Sequence, residues 1–128
     1  MNMHLTERTL ALKAVLESMP GARGEPMAAS RGSDPLVLIY KVMGKMFAIL
    51  AVRKSENVIL KCDPHLAETL RETYAGVGHR SHLDRRFWIS VSLDADVPMD
   101  EVERLARASY DRVVAGLTKK QKAALSAL

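Results

Sequence analysis

The spacing of apolar residues switches between a helical and a strand period several times along the chain. Leu12, Val15, Leu16 and Met19 recur at i, i+3, i+4 and i+7, which makes one helical face apolar. Thr6 is placed as its N-cap, Leu5 and Leu10 as a hydrophobic staple, and Pro20-Gly21 as its stop. From Leu36 to Leu66 the pattern becomes three short apolar runs, LVLIYKV, KMFAILAV and VILKC, divided at Met43-Gly44 and at the polar loop Lys54 to Asn57. Runs of this length, rich in Val, Ile, Leu and aromatics, predict strands of a meander. In the first, Leu36, Leu38, Tyr40 and Val42 share one face. In the second, Met46, Ala48, Leu50 and Val52 alternate with Phe47, Ile49 and Ala51; in the third, Val58, Leu60 and Cys62 alternate with Ile59 and Lys61. Gly44 offers the positive φ of a tight hairpin, whereas Met43 is a poor second such residue, so the spacing predicts a bulged turn rather than type I′.

Asp63 as N-cap with Pro64 at the first helical position opens a second helix, lined by Leu66, Ala67, Leu70 and Tyr74 and ended by Gly76. Val77 to Arg86 reads as a polar, basic connection. FWISVSL then alternates: Phe87, Ile89, Val91 and Leu93 against Trp88, Ser90 and Ser92, a half-buried strand with Trp88 on its polar face. Pro98 and Asp100 begin a long helix with the stripe Val102, Leu105, Ala106, Ser109, Val113 and Leu117. Thr118 and Gln121 match a capping box, which predicts a short tail helix over 118–128. Gly21 to Pro35 has no period and reads as a flexible loop, with room for a short edge strand around Met27 to Ser30. The order predicts a single α+β domain over 1–128: an antiparallel β-sheet, a meander of about three strands plus a further strand after a helix, packed by N- and C-terminal helices.

Composition narrows the class. A chain of 128 residues with 48% hydrophobic and 27% charged side chains has the balance of a folded soluble domain. Its longest apolar run, Met46 to Val52, is far short of a membrane span, and MNMHLTERTL has no signal-peptide core. A single cysteine, Cys62, fits a reducing compartment, so the expectation is a cytoplasmic protein with no membrane partner, a monomer or weak dimer. The formal charge of +4 matters less than its distribution. Lys41, Lys45, Arg53, Lys54 and Lys61 face one acid, Glu56, in the sheet region, and Arg80, Arg85 and Arg86 face only Asp84 before the last strand. The acids gather at Asp94, Asp96, Asp100, Glu101 and Glu103.

No G-x-S-x-G, Walker-type loop, G-x-G-x-x-G or H-E-x-x-H is present, and Asp94 with Asp96 is better placed to solvate a turn than to act as an acid–base pair. Cys62-x-x-His65 and His79-x-x-His82 offer zinc-type ligands, but a strand-end Cys pointing into the core and a His on a first helical turn favour packing over metal. Asp63 beside Cys62 opposes a reactive thiolate, and it also repels a small anion from the helix start. The expectation is a non-enzyme without metal or cofactor. The basic set, with Lys119, Lys120 and Lys122 in the tail, is suited to following a phosphate backbone in a sequence-independent, salt-sensitive way. Tyr40 or Trp88 would add stacking, although 5% aromatic residues is low for a base-stacking platform.

Four motifs in order carry a resemblance. Tyr40-Lys41-Val42-x-Gly44-Lys45-Met46-Phe47-Ala48, then Leu60-Lys61-Cys62-Asp63-Pro64 with Ala67 and Leu70, then His82-Leu83-x-x-Arg86-x-Trp88 with Val91 and Leu93, then Val97-Pro98 and Ser109-Tyr110 resemble the MmcQ/YjbR family over Leu10 to Lys120. The resemblance implies a CyaY-like α+β fold, similar also to secretion-chaperone domains, and a double-wing DNA-binding role in which β-hairpins act as wings. Phe87 and Ile89 depart from the family pattern, standing where a polar or His residue and an Asn-like residue are usual. The expected partner is double-stranded DNA, bound through Lys41, Lys45, Arg53, Lys54, Arg80, Arg85 and Arg86. The alternative is an adaptor or chaperone-like module that takes a protein or peptide on an exposed sheet face around Trp88, Ser90 and Ser92.

Overall fold

Helix starts follow local chemistry closely in the computed structural model, which describes residues 6–27, 37–52, 55–79 and 83–128. Thr6 Oγ1 accepts the Thr9 N–H at 3.2 Å and opens α1 (Glu7–Ser18). Asp63 Oδ2 accepts the N–H groups of His65 and Leu66 at 3.0 and 3.1 Å and opens α2 (Pro64–Thr73). The long α3 (Met99–Ala115) has no side-chain cap; Asp100 and Glu101 in its first turn complement the helix dipole instead. Both halves of the Thr118–Gln121 capping box form at α4 (Lys119–Ser126), at 3.0 and 3.1 Å. Leu10 is 51% exposed, and its expected staple partner Leu5 lies outside the described residues.

Six strands, β1 (Ala22–Pro26), β2 (Val37–Val42), β3 (Lys45–Ala51), β4 (Asn57–Lys61), β5 (Val77–Gly78) and β6 (Trp88–Ser92), form one sheet in the order β1-β2-β3-β4-β6-β5. Every pairing is antiparallel, as the α+β reading requires. The helices contribute to one core on one sheet face: Leu12 and Leu16 of α1, Ala67 and Leu70 of α2, and Val102, Leu105 and Ala106 of α3 meet Tyr40, Leu50, Leu60 and Ile89. Burying a side chain such as Leu16 or Leu60 contributes about 1.5–3 kcal/mol each. A smaller cluster lies on the other face, where Val37, Ala51 and Ile59 are buried beneath Ile49, Leu83 and Trp88.

Two strands arise where the sequence pattern predicts none. β1 falls inside the stretch read as a flexible loop, earlier than the edge strand expected at Met27 to Ser30; of those residues only Met27 is described, and its N–H donates to the Val37 carbonyl at 2.8 Å. ARGEP has no apolar alternation because β1 is an exposed edge held by backbone pairing to β2. Gly24 is needed there: a Cβ would lie 2.6 Å from Cε1 of Tyr40. β5 likewise occupies part of the expected basic connection and pairs only with β6. Tyr74 caps α2 in an extended conformation, so Gly76 has a different task from ending the helix. It lets the chain pass Ala95, whose Cβ would be 2.7 Å from a Cβ at Gly76.

The β2–β3 hairpin corrects the expected bulged turn. Val42 pairs with Lys45, and Met43 and Gly44 have φ of 50° and 79°, the two positive values of a type I′ turn. Met43 accepts left-handed strain of about 1–2 kcal/mol because the strand register demands it. A bulge does occur, inside β3. Tyr40 pairs with Ala48 and Lys41 with Met46, leaving Phe47 over. Phe47 and Ala48 therefore both enter the core, and Met46 is displaced from the face that simple alternation assigns it. The Phe47 ring meets Tyr110 edge-on at 5.4 Å and Tyr40 at 6.4 Å.

Candidate nucleic-acid interface

Strand register decides which cations lie together. Arg23 pairs with Lys41, Val42 with Lys45, and Lys61 with Trp88. The start of β1, the Met43-Gly44 turn, the end of β4 and the start of β6 therefore meet at one end of the sheet. Arg23, Lys41 and Lys61 project from the face opposite the helices, and Lys45 is exposed at the turn. Lys61 Nζ sits 5.9 Å from the centroid of the half-buried Trp88 ring.

The same end carries the turn from Asp84 to Phe87. Its backbone is closed by the Phe87 and Trp88 N–H groups donating to the Asp84 carbonyl at 3.1 and 3.0 Å. Arg86 forms a forked pair with the Asp84 carboxylate, Nε to Oδ1 at 3.1 Å and Nη2 to Oδ2 at 2.8 Å. That side-chain pairing holds the Asp84 carboxyl below, and the Arg86 guanidinium above, their ordinary pKa values. Arg86 and Arg112 also lie 5.2 and 6.0 Å from the Phe87 ring centroid. Beneath the turn, Arg71 Nη2 donates to the carbonyls of Arg85 at 2.7 Å and Trp88 at 2.9 Å, tying α2 to the base of the turn. Burial lowers the Arg71 pKa, but a guanidinium so far above neutrality stays charged. A cleft of about 450 Å³ between α2 and this turn is lined by Pro64, Glu68, Arg71, Glu72, Arg85 and Arg86, a lining of both signs.

Charge at this end is partly spent on internal pairs. Lys41 reaches Glu25 at 3.5 Å, and Arg86 is held by Asp84. Arg23, Lys45, Lys61 and Arg85 have no ion-pair partner among the described residues. These four offer their charge most freely to an anion.

A model of the YjbR family matches residues 17–112. The chain belongs to the YjbR family. "Uncharacterized protein YjbR" of Escherichia coli K12 is 38% identical over 77 residues, which are 58% of this chain and 64% of that protein, and the O157:H7 protein matches equally. The match thus spans about 64% of the length of these curated relatives. The crystal structure of Deinococcus radiodurans DR2400, with a DUF419 domain, superposes with a TM-score of 0.77 at 27% identity, covering 90% of this chain and 85% of that one. A Pseudomonas syringae protein shares the fold, with a TM-score of 0.62 at 18% identity over 84% of this chain and 98% of that one.

On this YjbR-family scaffold, four of the residues expected to bind nucleic acid, Lys41, Lys45, Arg85 and Arg86, lie at one end of the sheet. Arg53, Lys54 and Arg80 lie outside the described residues. Val52 and Ser55, which flank the first two, are at the sheet end opposite the Met43-Gly44 turn. Sequence reasoning missed Arg23, because β1 gives no periodic signal, and Arg112, whose approach to Phe87 depends on how α3 crosses the sheet. It counted Lys61 in the basic set but not among the residues expected to bind DNA, although the Lys61–Trp88 pairing makes it central.

Other candidate chemistry in the YjbR-family chain is absorbed into packing. Tyr40 is wholly buried and its hydroxyl donates to Glu17 Oε2 at 2.7 Å, so only Trp88 remains for stacking. Burial pushes the Cys62 thiol pKa up, with Asp63 adding to the rise. Asp63 occupies the N–H groups of His65 and Leu66 that a small anion would need. Asp94 accepts from Ser92 Oγ at 2.7 Å, and Asp96 accepts the Ala75 and Gly76 N–H groups, both at 2.8 Å. The Gly76 and Ala75 bonds hold the Asp96 carboxyl below its usual range. No group of three metal-ligating side chains occurs among the described residues, and none of the helices described is long and apolar enough to cross a membrane.

Proposed function

We propose that this protein binds DNA non-catalytically through the phosphate backbone, using Arg23, Lys41, Lys45, Lys61, Arg85 and Arg86. The observation that supports the reading is the strand register that brings Arg23, Lys41, Lys45 and Lys61 to one end of the sheet, beside the Asp84–Phe87 turn that carries Arg85 and Arg86. Lys41 and Arg86 share their charge with Glu25 and Asp84, so their contribution is discounted. Roughly three to four phosphate contacts imply a slope of about −3 in log affinity against log salt. Affinity in the range of about 10⁻⁴ to 10⁻⁶ M near physiological salt is expected for such a sequence-independent surface.

Fluorescence anisotropy of a labelled duplex at low and near-physiological salt tests this. Saturable binding that weakens steeply with salt supports the reading, and no binding at low salt sinks it. The protein-binding alternative draws less support: the exposed large apolar side chains among the described residues are Leu10, Met27 and Leu128, and Met27, which follows β1 opposite Val37, shares the Trp88, Ser90 and Ser92 face only at the far edge of the sheet.

A further inference from the structure

We infer that Trp88 is a stacking site for an unpaired base, so that single-stranded DNA is bound in preference to duplex. The inference rests on the phosphate-binding reading above and specifies the form of nucleic acid. Among the described residues, every helix that packs on the sheet does so through the core face, which leaves the opposite face to β-strand side chains and to Leu83 of the loop before β6. Across that face, near the hairpin end, runs the row Arg23, Lys41, Met46, Lys61 and Trp88. Strand order places Lys41 three strands from Trp88, roughly 14 Å by ordinary strand spacing. Cations followed by an apolar and then an aromatic surface suit a short run of nucleotides whose phosphates track the lysines while one base leaves the stack. A duplex keeps its bases paired and presents no free ring to Trp88.

The Lys61–Trp88 contact favours the exchange. A lysine over a partly solvated indole is a weak cation–π pair at 5.9 Å, weaker than a base stacked on the same ring. Stacking therefore displaces Lys61 from the ring and frees its ammonium for the adjacent phosphate. Trp88 is anchored for this from both sides: its carbonyl accepts from Arg71 at 2.9 Å, and its side chain packs on the Ile59 cluster. The indole is presented by a rigid strand, so little ordering is needed on binding.

Trp88 is the one tryptophan in the chain, so its emission reports on this site alone. The test titrates the full chain with oligothymidylate and with a duplex of matched phosphate count, reading Trp88 emission and the anisotropy of the labelled nucleic acid. The inference expects the single strand to quench Trp88 and to bind about tenfold tighter than the duplex. Trp88→Leu should lower single-strand affinity about tenfold and so remove the preference for single strand over duplex, with Trp88→Phe keeping most of it. Equal affinity for both forms without quenching overturns the inference and leaves the phosphate reading standing. Binding of neither form overturns both. Should Trp88→Leu fail to fold by circular dichroism, the quenching comparison on the unaltered chain decides alone.

Discussion

The Ser109 hydroxyl donates to the Phe47 carbonyl at 2.6 Å, 62 residues away in sequence, in a fully buried setting. The same oxygen accepts the Lys61 N–H at 2.8 Å. The bulge at Phe47 interrupts the β3–β4 ladder at this point, and a side chain from α3 satisfies the two backbone groups left over. Ser109 thus fixes α3 against the strand pair that carries the hairpin and Lys61.

Replacing Ser109 by alanine leaves a buried carbonyl and N–H unpaired, and stability should fall by roughly 2–4 kcal/mol. Urea unfolding is the check. A loss below about 0.5 kcal/mol would show that the bridge is energetically idle, as an ordinary surface substitution would be.

Glycine positions should separate by environment. At Gly24 a new Cβ meets the Tyr40 ring, which Glu17 and Phe47 hold in place, so Gly24→Ala should cost about 1–3 kcal/mol. At Gly44 a Cβ finds nothing within 4 Å, and only the positive φ opposes it, at about 1 kcal/mol. Denaturation midpoints of both variants, measured side by side, should rank Gly24→Ala as the more damaging; the reverse order would contradict the packing account.

The Tyr40–Glu17 bond predicts opposite pH effects on its two members. Lys13 and Tyr40 bind Glu17 and lower its pKa despite partial desolvation, so its contribution is present above the unfolded pKa and lost as pH falls through the folded one. Burial and Glu17 raise the Tyr40 pKa, so its contribution is full below the unfolded value of about 10 and declines as pH rises past it. Tyr40→Phe should cost about 1 kcal/mol at neutral pH, the bond being half-solvated at Glu17. Above about pH 10 that deficit should shrink by up to roughly 1.4 kcal/mol per pH unit, because the unfolded tyrosine ionises and the phenylalanine does not. A deficit that stays constant to pH 11 would refute a buried, protonated Tyr40.

Much of the scaffold was legible from local chemistry. The Asp63-Pro64 start, the Thr118–Gln121 box and the Val102 to Leu117 stripe need only near neighbours, and each appears where the spacing placed it. β1 and β5 were not legible, since ARGEP and Val77-Gly78 are strands only because β2 and β6 offer them a backbone. The inward turn of Phe47 was hidden for a related reason: a bulge breaks the two-residue period on which the alternation of β3 was read. The interface depends on register throughout. Lys41, Lys45, Arg85 and Arg86 were visible as basic residues, but their convergence with Arg23 and Lys61 required the strand pairings.

The central claim is that the hairpin end of the sheet is one phosphate-binding surface. Its most direct test is duplex binding by Arg23→Glu/Lys45→Glu, compared with the unaltered chain across a salt series. Neither side chain has an ion-pair partner among the described residues, and both are exposed, so folding should be unaffected. The account predicts affinity at least tenfold lower for every duplex sequence and a salt slope reduced by about 2. Unchanged affinity and slope would contradict it.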